Sequence, residues 1–145
     1  MGRPIIGVTG ELEAARWGNW IREAVVSPVS YTRAVERAGG TPVILPPVPA
    51  SSVPVLIAGL SGLLLTGGRD VDPSLYDQSQ HEQTDLPDHR RDRFELILTR
   101  AAIDASIPCS VRNAARCSGL RSRLAAIHSS PAPGVCHTCA SSCHW

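Results

Sequence analysis

Three observations predict an α/β fold, a parallel sheet flanked by helices. Short β-branched runs alternate with segments whose apolar residues repeat at helical spacing. One run, Leu63-Leu64-Leu65, is apolar without alternation, as a strand covered on both faces must be. Its end at Thr66-Gly67-Gly68 turns at once into the polar, acidic Arg69-Asp70-Val71-Asp72-Pro73. Strands joined through helices make βαβ units, and those build parallel sheets whose ligands sit at the carboxyl ends of the strands. With 145 residues, 43% of them hydrophobic, the chain suffices for one domain with a core.

Pro4 to Thr9 reads as the first strand, closed by Gly10. In Glu11 to Trp20, Trp17 and Trp20 around Gly18 either cap the core, the commonest use of an indole, or belong to a loop over the strand ends that lines a pocket. Ser30 to Ala38 is predicted helical, with Ser30 as N-cap and Ala34, Val35 and Ala38 on one face. Gly39-Gly40 stops it, as a glycine just past a helix should. Thr41 to Leu45 is the second strand and Pro46-Pro47 ends it. The Pro- and Ser-rich Val48 to Pro54 is a connector, Val55 to Leu60 a short helix, and Gly62 to Thr66 the third strand.

Asp70 to Asp88 is a long polar loop, of the kind that is usually functional or disordered. His81 lies in it, read chiefly as a solvated histidine and otherwise as a substrate contact. Asp70 and Asp72 would cap and solvate the turn, or else orient it or bind a substrate amine. His89 or Arg90 to Ala105 is the strongest helix pattern. Phe94, Ile97, Leu98 and Ala101 form its expected apolar stripe, with Asp92, Glu95 and Arg100 facing water. Arg91 and Glu95 at i, i+4 would then be a surface pair worth a few tenths of a kcal/mol.

Ile107-Pro108 should open a fourth strand. Cys109 to Arg116 does not read as its continuation, because it has neither alternation nor an apolar run, and Arg112 and Asn113 would be costly in a core. Composition changes here too. Residues 1–108 carry 10 Arg against all 13 acids, a net −3, while residues 109–145 carry 4 Arg, no acid and all five cysteines. Ser118 to Ile127 reads as a weak basic helix. The expected organisation is therefore a sheet-forming part, 1–108, and a tail, 109–145, that is disordered or read in a shifted frame.

The near-neutral total charge, +1, argues against a nucleic-acid partner. No apolar run has the length of a membrane span, and no export signal is read, so no membrane partner and a cytoplasmic location are expected.

The Gly67-Gly68 turn is the candidate site. Adjacent glycines permit backbone angles and a close approach denied to residues with a Cβ. Their N–H groups could serve an oxyanion or carboxylate, although a ligand-free turn explains the same residues.

Several pieces, in order and spacing, resemble the N-terminal half of the gamma-glutamyl-gamma-aminobutyrate hydrolase family. These are peptidase C26-type members of the class I glutamine amidotransferase superfamily. The pieces are Arg3 to Thr9, Ala15 to Trp20, Tyr31 to Gly40 leading into Pro42 to Pro47, Leu63 to Pro73 with Tyr76, and Arg91-Asp92 with Phe94-Glu95-Leu96. The resemblance implies a flavodoxin-like sheet, a small-molecule gamma-glutamyl substrate in intact relatives, no cofactor, and a Cys–His–Glu triad acting through a thioester. It places one oxyanion-hole N–H on Gly67 or Gly68.

The family's nucleophile belongs in a Gly-x-Cys-Arg-Gly turn after the strand at Ile107-Pro108, and this sequence has no such pattern. Cys109 comes too early, Cys117 follows no apolar strand, and no acid follows Asp104. No catalytic residue is therefore assigned, and the expectation is a truncated, inactive relative. Two other readings stand beside it. A thiol hydrolase would use Cys109 or Cys117 with His128. Alternatively, Cys136, Cys139, Cys143 and His144 make the tail a metal-binding or interaction segment, although zinc ligands usually lie farther apart than nine positions. No metal ligand is assigned.

Overall fold

The computed structural model describes residues 2–76, 79 and 86–112. Four strands form one parallel sheet, β1 (Ile5–Thr9), β4 (Thr41–Leu45), β5 (Gly62–Leu65) and β6 (Cys109–Val111), in the order β4-β1-β5-β6. Between β1 and β4 the chain makes a separate antiparallel ribbon, β2 (Glu11–Trp17) and β3 (Trp20–Val26), and then helix α1 (Val29–Arg37). Helix α2 (Val53–Ala58) links β4 to β5, and α3 (His89–Asp104) links β5 to β6. The predicted α/β class, a parallel sheet flanked by helices, is what the chain forms.

Alternation along β5 decides the layers. Leu63 and Leu65 join Val53, Ile57, Phe94, Leu98 and Ala102 in a buried cluster under α2 and α3. Leu64 turns to the other face, where it lines a cavity of about 560 Å³ with Ile6, Ala34, Val35 and Ala38 of the α1 side. Each fully buried aliphatic such as Leu65 or Leu98 contributes about 1.5–3 kcal/mol. In β1, Val8 and Thr9 are buried completely, which seats the carboxyl edge of the sheet firmly.

The structure corrects the sequence reading in five places. Residues 11–26 are a hairpin, not a loop. Trp17 pairs with Trp20 across a Gly18-Asn19 turn, with Gly18 at φ +56 in the first central position, as a II′ turn requires. Trp17 and Trp20 do not cap the core; they are 51% and 56% exposed. Because most of the ribbon meets solvent, its strands carry no apolar alternation, and only the Gly-Asn step marked them. Ser30 is not the N-cap of α1: the helix begins after Pro28 with no capping side chain, while Gly39 at φ +86 ends it as predicted.

Residues 109–111 do form a strand. They pair in parallel with Leu63–Leu65, closed by Leu63 N–H to Pro108 O and Arg112 N–H to Leu65 O. Edge pairing satisfies main-chain groups whatever the side chains, so three residues without alternation can extend the sheet. Arg112 lies just past the strand and is exposed, which avoids the penalty foreseen for it. Lastly, Asp92 and Glu95 do not face water. They are 1% and 0% exposed, and Arg91 beside them is 0% exposed. Among the described residues, no helix is long and apolar enough to cross a membrane.

Candidate active site at the glycine turn

The site is built where β1 and β5 end side by side. Thr66 N–H donates to Thr9 Oγ1 at 3.1 Å, and Thr66 Oγ1 donates to Thr9 O at 2.9 Å. These two buried threonines carry the sheet's hydrogen bonding one step past its last residues. Gly67-Gly68 therefore starts from a rigid base.

Above it the turn is gripped from both sides. On one side Gly67 N–H donates to the Tyr31 hydroxyl at 3.0 Å. On the other, Arg91 Nη2 donates to Thr66 O at 3.0 Å, Thr66 Oγ1 at 3.1 Å and Gly67 O at 3.0 Å. Arg91 Nε donates to Glu95 Oε1 at 2.9 Å, and both side chains are fully buried. Arg91 Nη1 stands in ion-pair contact with Glu11 Oε1, without meeting hydrogen-bond geometry. Burial pulls against the charge on Arg91, and the Glu95 and Glu11 carboxylates more than reverse it, so its pKa lies above the ordinary arginine value.

Gly68 has φ +140, and a Cβ there would run into Glu11 and Arg91. Only glycine fits. At Gly67 a Cβ would stand 3.0 Å from the Tyr31 hydroxyl, a tighter contact than usual but without a disfavoured φ.

The loop that follows is tied to the same helix. Asp72 N–H donates to Asp92 Oδ2 at 2.9 Å. Asp72 Oδ1 accepts from Ser74 N–H at 2.9 Å, and its Oδ2 lies 3.1 Å from His89 Nδ1. The bonds to Ser74 lead in lowering the Asp72 pKa from its ordinary value, and His89 adds to this. Asp72 therefore caps the short Pro73–Tyr76 turn of its own loop, not the glycine turn for which that role was considered. At the outer side, Arg69 Nη2 meets Glu13 Oε1 at 3.1 Å, so the hairpin is linked to the turn through both Glu11 and Glu13.

Arg91, Glu95, Glu11 and Tyr31 are the site residues that sequence reasoning missed. On a helical wheel at about 100° per residue, Arg91 falls within the arc that Phe94, Leu98 and Ala102 bury and Glu95 about 20° beyond its edge. A charge pair at an apolar arc is the available signal. Sequence alone reads it as a surface pair because Arg and Glu are rarely buried unless paired.

Cys109 lies elsewhere. It pairs in register with Leu63, four residues before Gly67, which places it about 13 Å back along the sheet at ~3.3 Å per residue. It lines the cavity on the α1 face with Pro108 and Ser110. No cysteine among the described residues faces the glycine turn. His81, Cys117, His128 and the Cys136–His144 segment lie outside the described residues. No group of three potential metal ligands occurs among the described residues.

The peptidase C26 family model matches residues 4–120, most of the chain and all of the elements that build this turn. The chain belongs to the peptidase C26 family. Rv2859c of Mycobacterium tuberculosis, which carries a glutamine amidotransferase name, is 40% identical over 108 residues, covering 73% of this chain and 35% of that protein. The glutamine amidotransferase-like protein RP404 of Rickettsia prowazekii is 30% identical over 111 residues, 73% of this chain and 38% of its own. Protein NtpR of Enterococcus hirae is 30% identical over 106 residues, 72% and 44%. The chain thus spans under half the length of these relatives.

Proposed function

We propose that the Gly67-Gly68 turn is the oxyanion side of a gamma-glutamyl amide site, of the kind used by gamma-glutamyl-gamma-aminobutyrate hydrolases. The observation that carries this reading is the turn itself. It lies at the carboxyl edge of a parallel sheet, where α/β folds bind ligands, and is held so tightly that only glycine fits at position 68. A fixed backbone donor at such a place can stabilise the charge that develops on a carbonyl oxygen during thioester formation. Family membership and the glutamine amidotransferase names of two relatives support that chemistry.

The chain itself is read as hydrolytically inactive. Nucleophilic catalysis needs a thiolate next to the carbonyl carbon; among the described residues the cysteine is Cys109, about 13 Å from the turn along the sheet, and the sequence has no Gly-x-Cys-Arg-Gly turn. The test is hydrolysis of gamma-glutamyl-p-nitroanilide by the full chain and by its Cys109→Ala/Cys117→Ala variant. Equal, background rates are expected. A rate above that of the double variant would overturn the inactivity.

A further inference from the structure

Resting on the oxyanion-side reading, we infer that Arg91 is the positioning residue that sets the direction of the Gly68 N–H, and that Glu11 couples this setting to the β2–β3 hairpin. The argument is one of peptide geometry. A trans peptide is planar, so its C=O and N–H point in opposite directions, and the described residues contain no cis bond. Arg91 Nη2 takes both carbonyls of the turn, Thr66 O and Gly67 O, at 3.0 Å each. The two following N–H groups, of Gly67 and Gly68, are thereby turned away from α3.

The first of them verifies the rule: Gly67 N–H points to the Tyr31 hydroxyl of α1, on the side opposite Arg91. The Gly67–Gly68 peptide is held by the same Nη2, so the Gly68 N–H is aimed away from the guanidinium by the same constraint. A flip of that peptide would bring an N–H against a buried cation and strip the cation of an acceptor, both costly in a site 0% exposed.

The clamp has its own supports. Glu95 holds Nε from within the helix, while Glu11 reaches Nη1 from the root of the hairpin. Glu11 is the more accessible of the two, at 19% side-chain exposure against 0%. Movement of the ribbon therefore reaches the guanidinium through Glu11, whereas the Glu13 contact bears on Arg69, after the turn. No described residue other than Arg91 holds both carbonyls.

The test uses the full-length ¹⁵N-labelled chain and L-glutamate, whose γ-carboxylate presents the negative oxygen that the turn would receive. Arg91→Lys keeps the charge opposite Glu95 but cannot span both carbonyls. It is expected to speed exchange of the Gly67 amide, move the Gly68 amide resonance and weaken glutamate binding about 10-fold or more, the loss of one charge-assisted hydrogen bond. Leu98→Ala, which lowers stability without touching either glycine, is expected to leave glutamate affinity within about 2-fold at equal folded fraction. Should Arg91→Lys fail to fold, Glu11→Gln gives the same changes in smaller measure, about 3-fold in affinity.

Unchanged Gly67 and Gly68 amides in the folded variant would overturn the positioning role, whatever glutamate does. A wild-type chain that binds no glutamate, with both amides still moved by Arg91→Lys, would overturn the oxyanion-side reading and leave the clamp standing.

Discussion

Gly68 and Gly67 are adjacent and look alike in the sequence, yet the structure asks different things of them. At Gly68 the φ of +140 and the closeness of Glu11 and Arg91 exclude any side chain. Gly68→Ala is expected to lose about 1–3 kcal/mol from backbone strain alone, with displacement of the clamp adding to it. Gly67→Ala meets only the Tyr31 hydroxyl, and a loss within about 1 kcal/mol is expected. Urea midpoints of the two variants measure the contrast, and equal losses would refute it. Arg91 is the third residue of this kind. Arg91→Met leaves Glu95 charged and buried, and an unfolding free energy lower by about 3–5 kcal/mol is expected. Pairing it with Glu95→Leu should recover much of that loss, since no buried charge then stands alone, and denaturant titration of the two variants decides this.

At the scale of elements, α3 is the helix around which the site is arranged. Asp88 caps it, accepting from Arg90 and Arg91 N–H at 3.1 Å each. Its first two turns then hold the glycine turn through Arg91 and the following loop through Asp92. The Asp72 carboxylate in that loop, which accepts from Ser74 N–H and faces His89, is sensitive to acid. The folded Asp72 pKa lies below 3.8, so its contribution is complete above the unfolded value and lost as pH falls through the folded one. Protection of the Ser74 amide, relative to its intrinsic exchange rate, is therefore expected to hold above the ordinary Asp range and to fall as the pH drops below it. In Asp72→Asn the protection should lack that step; a step of unchanged size would assign the titration to another group.

Much of this fold was legible because its strands are covered. Thr41–Leu45 and Gly62–Leu65 announce themselves by apolar, β-branched residues between Pro or Gly stops, and α3 by its 3.6-residue period. The hairpin was not legible, since a ribbon wetted on most of its surface needs no alternation. Nor was β6, which is held by main-chain bonds to a neighbour 46 residues earlier in the chain (109 − 63). The site was half legible. Its glycines stood out by residue type, whereas the clamp beneath them uses Arg91, Glu95 and Glu11, types whose sequence signature is a solvated surface.

At the scale of the molecule, a parallel sheet brings the ends of β1 and β5 together, the hairpin adds an outer support through Glu11 and Glu13, and α3 locks both to one turn. The central claim is that this turn receives the oxygen of a gamma-glutamyl group. Amide shift mapping of the ¹⁵N-labelled full chain with gamma-glutamyl-p-nitroanilide tests it most directly. Saturable shifts centred on Gly67, Gly68 and Arg69 are the predicted result. Shifts centred instead on Cys109 and Ser110 in the α1-side cavity, with the glycine turn unmoved, would contradict it.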